Sequence, residues 1–168
     1  ERRKGIEELN QVLEDMLPNS DMVIHFVGPI PIDKQIKSTQ AIYHGAIMDS
    51  GELRSVMDQC HIQVVPSHSE GMPNVIMEGM ARGLAMIASD VGAVADQVDA
   101  TTGWLIEGGN KTSLKTALIE ALSCAPPTLN SLRTQAIANV RQNFTWEHVS
   151  QRTLDALESL IISRDQAS

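Results

Sequence analysis

The segment "IQVVPSHSEGMPNVIMEGMARGLAMIASD", residues 62–90, contains the pattern that decides the fold of this chain. It begins with an apolar run at 62–67 that predicts a strand closed by Pro66, and a glycine-containing loop follows. Helical spacing over the middle and a second apolar run at 84–90 predict a helix and another strand. A strand, a helix and a strand in this order favour two parallel strands joined by a helical crossover.

The flanking sequence repeats this alternation of strands and helices. Further apolar runs predict strands at 22–28, 41–47 and 103–109. Helical spacing is found at 6–16, 51–60, 114–122, 129–143 and 146–163. We therefore predict an α/β fold with a Rossmann-like, doubly wound parallel sheet and helices on both faces. The length of 168 residues fits a single domain covering 1–168.

The composition narrows the class of protein. A formal net charge of −8 argues against nucleic-acid binding, which requires a basic surface that displaces counterions from phosphates. Cys60 and Cys124 are the two cysteines, too few for a disulfide framework, so a reducing compartment is favoured. No apolar run reaches the ~20 residues that span a bilayer. We expect a cytoplasmic protein, with peripheral attachment to the inner face of the membrane as an alternative.

The start of the helix within 62–90 suggests a ligand site. With Pro73 as the first helical residue, Met72 is the N-cap and offers no side-chain oxygen to the amides of the first turn. Those amides need another partner, and a phosphate suits the positive end of a helix. The loop also leaves the carboxyl end of a strand, where open α/β sheets bind ligands, and Gly71 permits close approach to the backbone.

Two glutamates flank this helix start. Glu70 precedes it, and Glu78 shares one side of the helix with Asn74 and Arg82. Both have simpler interpretations. Glu78 and Arg82 have the i,i+4 spacing of a helical salt bridge, and Glu70 is then a solvated loop carboxylate.

The order of residues in this segment resembles the donor-binding segment of family 4 retaining glycosyltransferases with the GT-B fold. The matching positions are Pro66, Ser67, Glu70, Gly71, Pro73, Glu78, Gly83, Asp90 and Gly92. The flanks are similar to the family as well. Arg3-Lys4-Gly5 precedes the first helix, "HFVGP" ends a strand, Thr102-Gly103 precedes another strand, and "NFTWEHV" begins the last helix.

The resemblance implies a role for each matching residue. Glu70 is expected to reach the hydroxyls of the donor sugar and is the candidate catalytic residue, Glu78 to hold the ribose, and Lys4 to bind the diphosphate. The backbone is expected to face the sugar and the diphosphate at Gly71, Met72, Asn74 and Val75. Ala46 and Ile47 are expected to line the base. Retention through a covalent intermediate and retention through same-face attack both stay open, and Lys4 has a frayed, solvated terminus as its alternative.

The family has parts that this sequence does not match. The resemblance implies that a first strand ending in Gly-Arg and an N-terminal acceptor domain are missing, and that the last helix, 146–163, packs toward that domain. Half of the cleft is then absent. We expect the fragment by itself to be inactive.

The leading hypothesis is the donor-binding half of a GT-B glycosyltransferase, of the hexosyltransferase type. Its donor is a nucleotide diphosphate sugar, its acceptor is an unidentified glycan, lipid or small molecule, and no separate cofactor is implied. The alternatives are a GT-B-fold sugar-nucleotide epimerase or hydrolase, and a non-catalytic α/β binding module.

Metal chemistry receives no support from the sequence. No Asp-x-Asp pair occurs, so metal-dependent diphosphate binding is not predicted. The five histidines show no zinc-ligand spacing. His68 is the one that lies in the predicted donor loop, and solvent exposure is its expected state.

Overall fold

The computed structural model describes residues 2–166 and has the predicted alternation of strands and helices. The strands are β1 (Ile24–Phe26), β2 (Ala41–Tyr43), β3 (Ile62–Val65), β4 (Ala85–Ser89) and β5 (Gly103–Ile106). The helices are α1 (Ile6–Met16), α2 (Ser50–Met57), α3 (Asn74–Ala81), α4 (Lys111–Ser123), α5 (Pro126–Asn143) and α6 (Trp146–Gln166). Short 3-10 turns occupy Arg2–Lys4, Leu17–Asn19, Ile32–Lys34 and Val94–Asp96.

All strand pairings are parallel, but the strands divide into two sheets. β1 pairs with β2, and β4 lies between β3 and β5. The prediction of a parallel α/β fold is confirmed. In the part of the chain that the structure describes, β1 and β3 are not hydrogen-bonded to each other, so each has one unpaired edge.

The strand β4 shows why the protein needs helices on two sides. Its five residues are all buried, and successive side chains enter different clusters. Ile87 packs with Leu13 of α1 and Leu114 of α4. Met86 packs on the opposite face, with Met80 of α3. Burial on both faces is the reason for the continuous apolar run that the sequence shows here.

The strands β1 and β2 are shorter than their apolar runs predict. Gly28 and Gly45 follow them with φ of 127° and 67°, values that extended strands do not have. The Gly28 amide donates to the Gly45 carbonyl oxygen at 2.7 Å. The segments that follow β1 and β2 therefore both stop being extended at these paired glycines.

The helix α6 has no buried face over its described side chains. Every side chain from 146 to 161 is exposed, including Trp146 at 83%, Leu154 at 54% and Leu157 at 52%. Among residues 2–166, no helix combines the length and the low charge needed to cross a membrane.

Candidate functional site

The helix α3 begins with amides that no side chain caps. Pro73 is the N-cap, with an extended ψ of 118°, so the helix starts at Asn74. The prediction that Met72 is the N-cap is therefore wrong by one position, but proline, like methionine, has no side-chain oxygen. Asp49 and Asn110 cap α2 and α4 with their own side chains, whereas α1 and α5, like α3, have no side-chain cap. The first turn of α3 is thus suited to an anion.

Lys4 and Glu70, two of the predicted donor-binding residues, form an ion pair. The Lys4 Nζ atom lies 2.6 Å from Glu70 Oε1, and the Glu70 side chain is only 9% exposed. Burial acts to raise the pKa of the Glu70 carboxyl, but the hydrogen bond and charge of Lys4, together with the charge of Arg3, hold that pKa below its usual value. The alternatives of a frayed Lys4 and a solvated Glu70 are both wrong.

The N-terminal turn is held against the loop after β3 by backbone contacts. The His68 amide donates to the Arg3 carbonyl oxygen at 2.8 Å. Gly5 has a φ of +68°, and a Cβ atom there would lie 1.9 Å from the Pro66 carbonyl oxygen. Glycine is thus required at this position, and the close approach places Lys4 in front of Glu70.

The loop after β4 supports Glu70 from the other side. Gly92 has a φ of +59°, and a Cβ atom there would lie 2.1 Å from the Glu70 carbonyl oxygen. The Ala93 amide donates to the Gly71 carbonyl oxygen at 2.8 Å. The motif residues Glu70, Gly71 and Gly92, which the sequence places apart, are therefore in contact.

The surface in front of this loop is open. A Cβ atom added to Gly71 would have no heavy atom within 4 Å, and Met72 is 47% exposed. Asn74 is exposed at the start of α3, whereas Val75 is half-buried and packs on the core. A ligand thus has access to the backbone at these positions.

Glu78 lies exposed on α3 and is not paired with Arg82. Arg82 Nε instead donates to Asp58 Oδ1 at 2.9 Å, which joins the end of α3 to the end of α2. The simpler interpretation of Glu78 as half of a helical salt bridge is wrong. Among residues 3–161, whose side chains the structure describes, no ion pair involves Glu78, so its carboxylate can accept hydrogen bonds from a ligand.

His68 makes a contact that the sequence did not indicate. Its side chain is 34% exposed, yet its Nε2 atom lies 3.2 Å from Glu8 Oε2 on α1. Its ring also packs against Gly109, where a Cβ atom would lie 2.9 Å from the ring. No local pattern predicts this pairing because Glu8 is distant in sequence.

Ala46 and Ile47 lie just after β2, with Ala46 exposed and Ile47 half-buried. Across the described chain, no hydrogen bond or ion pair joins either residue to the loop that carries Glu70. The structure therefore brings together Lys4, Glu70 and Gly71, which are expected at the sugar and the diphosphate, but not the two residues expected at the base. The base-lining role of Ala46 and Ile47 stays a prediction.

Two cavities lie away from Glu70. A cavity of about 270 Å³ lies between α1 and α4, beside Asp15 and Lys115. Another, of about 620 Å³, lies along β5 and α4, beside Trp104 and Glu120. Neither is lined by Glu70. Among the side chains that the structure describes, those of residues 3–161, no group of three or more His, Cys, Asp and Glu is arranged to hold a metal ion.

Solved structures share this fold. The C-terminal domain of the glycosyl transferase group 1 family protein LpcC from Francisella tularensis has a TM-score of 0.76 at 23% identity, covering 87% of this chain and 82% of that one. The Anabaena protein Alr3699/HepE has a TM-score of 0.78 at 19% identity, covering 95% of this chain and 46% of that one. These identities support the similarity of fold alone.

Curated relatives match at higher identity over part of their length. The D-inositol 3-phosphate glycosyltransferase of Rhodococcus erythropolis is 32% identical over 112 residues, which cover 66% of this chain and 25% of the relative. The uncharacterized glycosyltransferase MJ1178 of Methanocaldococcus jannaschii is 40% identical over 128 residues, covering 72% of this chain and 35% of the relative. The chain therefore spans well under half of these proteins.

A family model is matched over most of the chain. Residues 1–124 match the model described as glycosyl transferases group 1. The matched range includes Lys4, Glu70 and Glu78 and extends through β5. The resemblance to family 4 glycosyltransferases with the GT-B fold is confirmed, and this chain belongs to the glycosyl transferases group 1 family.

Proposed function

We propose that this chain is the donor-binding domain of a retaining glycosyltransferase, which transfers a sugar from a nucleotide diphosphate sugar to an acceptor. The observation that carries the proposal is the Lys4–Glu70 ion pair on the loop that leads into the uncapped start of α3. An ammonium group and free amides suit a diphosphate, and a carboxylate with a lowered pKa suits the hydroxyls of a sugar.

Donor binding separates this ion pair into two contacts. The diphosphate, with more negative charge than one carboxylate, takes Lys4 as its partner and lies against the amides of Asn74 and Val75. Glu70 is then free to accept hydrogen bonds from the sugar. The backbone at Gly71 and Met72 lies along the same path.

Glu78 binds the ribose in this arrangement. Its exposed carboxylate accepts hydrogen bonds from the two ribose hydroxyls, since Arg82 is already bound to Asp58. Ala46 and Ile47 line the base.

Glu70 is the candidate catalytic residue. As the sugar leaves the diphosphate, positive charge develops at the sugar and negative charge on the diphosphate. The ionised Glu70 stabilises the positive charge at the sugar. Lys4 and the start of α3 stabilise the negative charge on the diphosphate. These groups supply charge stabilisation from the chain itself, and we propose a reaction without a bound metal.

We propose a uridine diphosphate sugar as the first donor to test. Alr3699/HepE has been solved in complex with UDP, with UDP and glucose, and with UDP-glucose. The acceptor is a glycan, a lipid or a small molecule. The two cysteines of the chain are free, which supports a cytoplasmic site of action.

The open donor surface requires an opposite wall. We propose that an N-terminal domain of the same polypeptide supplies it, and that α6 packs on that domain through its exposed apolar side chains. A strand preceding Arg2 is proposed to lie between β1 and β3. In support, β1 and β3 each have an unpaired edge, and Phe26 of β1 and Val64 of β3 pack in the same core cluster. Residues 1–168 alone are expected to be inactive, and measurable transfer by them would contradict this.

The function is tested by transfer assays on the full-length protein with UDP-, GDP- and ADP-glucose. Glu70→Gln keeps the size of the side chain but removes its charge, and we expect a loss of about 100-fold or more in kcat. Undiminished transfer by this variant removes Glu70 from the chemistry. Product formation without any acceptor identifies a hydrolase or an epimerase instead. Calorimetry that detects no nucleotide binding identifies a non-catalytic module.

A further inference from the structure

His68 holds the N-terminal turn on both sides of Lys4. On one side its amide donates to the Arg3 carbonyl oxygen at 2.8 Å. On the other its Nε2 atom lies 3.2 Å from Glu8 Oε2, in the first turn of α1. Arg3 and Glu8 flank Lys4 in the sequence. The backbone that carries Lys4 is therefore tied to the loop of Glu70 at two points, and both ties belong to His68.

The contact with Glu8 is important for that carboxylate. Glu8 Oε2 is a buried atom that has no hydrogen-bond partner among the described residues, so the imidazole at 3.2 Å is its polar neighbour. A buried carboxylate oxygen without a partner is unfavourable. Replacing the imidazole by an apolar side chain therefore leaves this oxygen without a polar neighbour at the start of α1.

The His68 ring is fixed from a third direction. Gly109, at a φ of +75°, packs against the ring edge, where a Cβ atom would lie 3.0 Å from Nδ1. Nε2 lies beside Glu8 and Nδ1 beside Gly109, and among residues 3–161 no hydrogen bond or ion pair joins the ring to Lys4 or Glu70. His68 therefore acts through Lys4 rather than on the donor.

We propose that His68 is a positioning residue that holds Lys4 at the diphosphate subsite and so determines how tightly the diphosphate, but not the nucleoside, is bound. This inference rests on the proposed function. The charged group that lies against the imidazole is Glu8 on α1. A histidine with only a stabilising role would affect the binding of the whole nucleotide.

The test compares two substitutions in the full-length protein by calorimetry. His68→Gln retains an N–H group that can reach Glu8, and His68→Leu retains the bulk without a donor. The probes are UDP, GDP and ADP, each with its nucleoside. We expect His68→Leu to lower diphosphate affinity about tenfold, equivalent to ~1.4 kcal/mol, and to leave nucleoside affinity unchanged. His68→Gln is expected to restore most of the loss. His61→Leu, at an exposed histidine before β3, is the matched control.

A double-mutant cycle with Lys4→Met separates positioning from general stabilisation. If His68 acts through Lys4, His68→Leu causes little further loss of diphosphate affinity in the Lys4→Met background. Fully additive losses, or an equal loss of nucleoside affinity, overturn the inference, and so does wild-type diphosphate affinity in His68→Leu. If the unaltered protein binds none of the three diphosphates, the proposed function itself fails, and this inference fails with it. Melting temperatures of all variants identify any that do not fold.

Discussion

The Lys4 ammonium and the Glu70 carboxylate, which are expected to bind different parts of the donor, are bound to each other at 2.6 Å. The ion pair keeps a poorly exposed carboxylate charged and holds a flexible lysine close to where the diphosphate is proposed to lie. In the proposed function, donor binding exchanges this contact for one contact to the diphosphate and one to the sugar, and the exchange can be tested from either residue.

Lys4→Met removes the cation and retains the length of the side chain. We expect the affinity for a nucleoside diphosphate to fall about tenfold or more, since a charge-assisted hydrogen bond contributes ~1.5–3 kcal/mol. The affinity for the nucleoside should not change. Titration calorimetry at two salt concentrations measures both, and the loss should be smaller at high salt because the interaction is screened. Lys111→Met, on α4, is a control for the loss of one positive charge.

The stability of the protein should depend on Glu70 at acid pH. Its pKa is lower in the folded protein than in the unfolded chain, so the unfolded state binds the proton more readily. The stabilisation is complete above the usual glutamate pKa and is lost as the pH falls through the lower, folded value. Glu70→Gln should have a smaller loss of stability over this range. Urea unfolding at a series of pH values measures the difference, and parallel curves for both proteins would contradict the assignment.

Gly92 and Gly71 are a matched pair of glycines with opposite expectations. Gly92→Ala places a Cβ atom 2.1 Å from the Glu70 carbonyl oxygen at a φ of +59° and should lower the free energy of unfolding by about 2 kcal/mol or more. Gly71→Ala has open space around it and should leave stability unchanged. Because the new methyl group faces the proposed ligand, it should still weaken donor binding. Thermal melts measure the stability of both variants, and calorimetry measures their donor affinity. Equal melting temperatures would contradict the predicted clash at Gly92.

Glu78 and Arg82 distinguish binding from structure on the same face of α3. Glu78→Gln should weaken binding of a nucleotide sugar without changing the melting temperature, because no ion pair involves Glu78 among the described side chains of residues 3–161. Arg82→Gln removes the contact with Asp58 and should slightly lower the melting temperature without changing affinity. If Arg82→Gln weakens binding as much as Glu78→Gln, the carboxylate is not a specific ribose ligand.

Much of the fold follows from local patterns in the sequence. The apolar run at 84–90 predicts a strand, and the helical spacing at 6–16 predicts a helix; both are found, as β4 and α1. These features depend on neighbouring residues and on the periods of strands and helices, so a single sequence is sufficient to identify them.

The sequence predicts the ends of strands and helices, and the partners of individual side chains, less well. β1 and β2 end early because Gly28 and Gly45 adopt positive φ, and Pro73 stays outside α3 because its backbone is extended. Arg82 prefers Asp58 of another helix to Glu78 of its own, a choice that helical spacing does not reveal.

By itself, then, the sequence determined the α/β alternation, the buried strands and the two glutamates that flank a helix start. Only the tertiary structure decided that Lys4 binds Glu70, that Gly92 supports the Glu70 backbone and that His68 pairs with Glu8. The physical reason is that these contacts join segments far apart in the chain. They meet only where the loops that follow β3 and β4 and the N-terminal turn converge, and that arrangement is set by packing rather than by local preference.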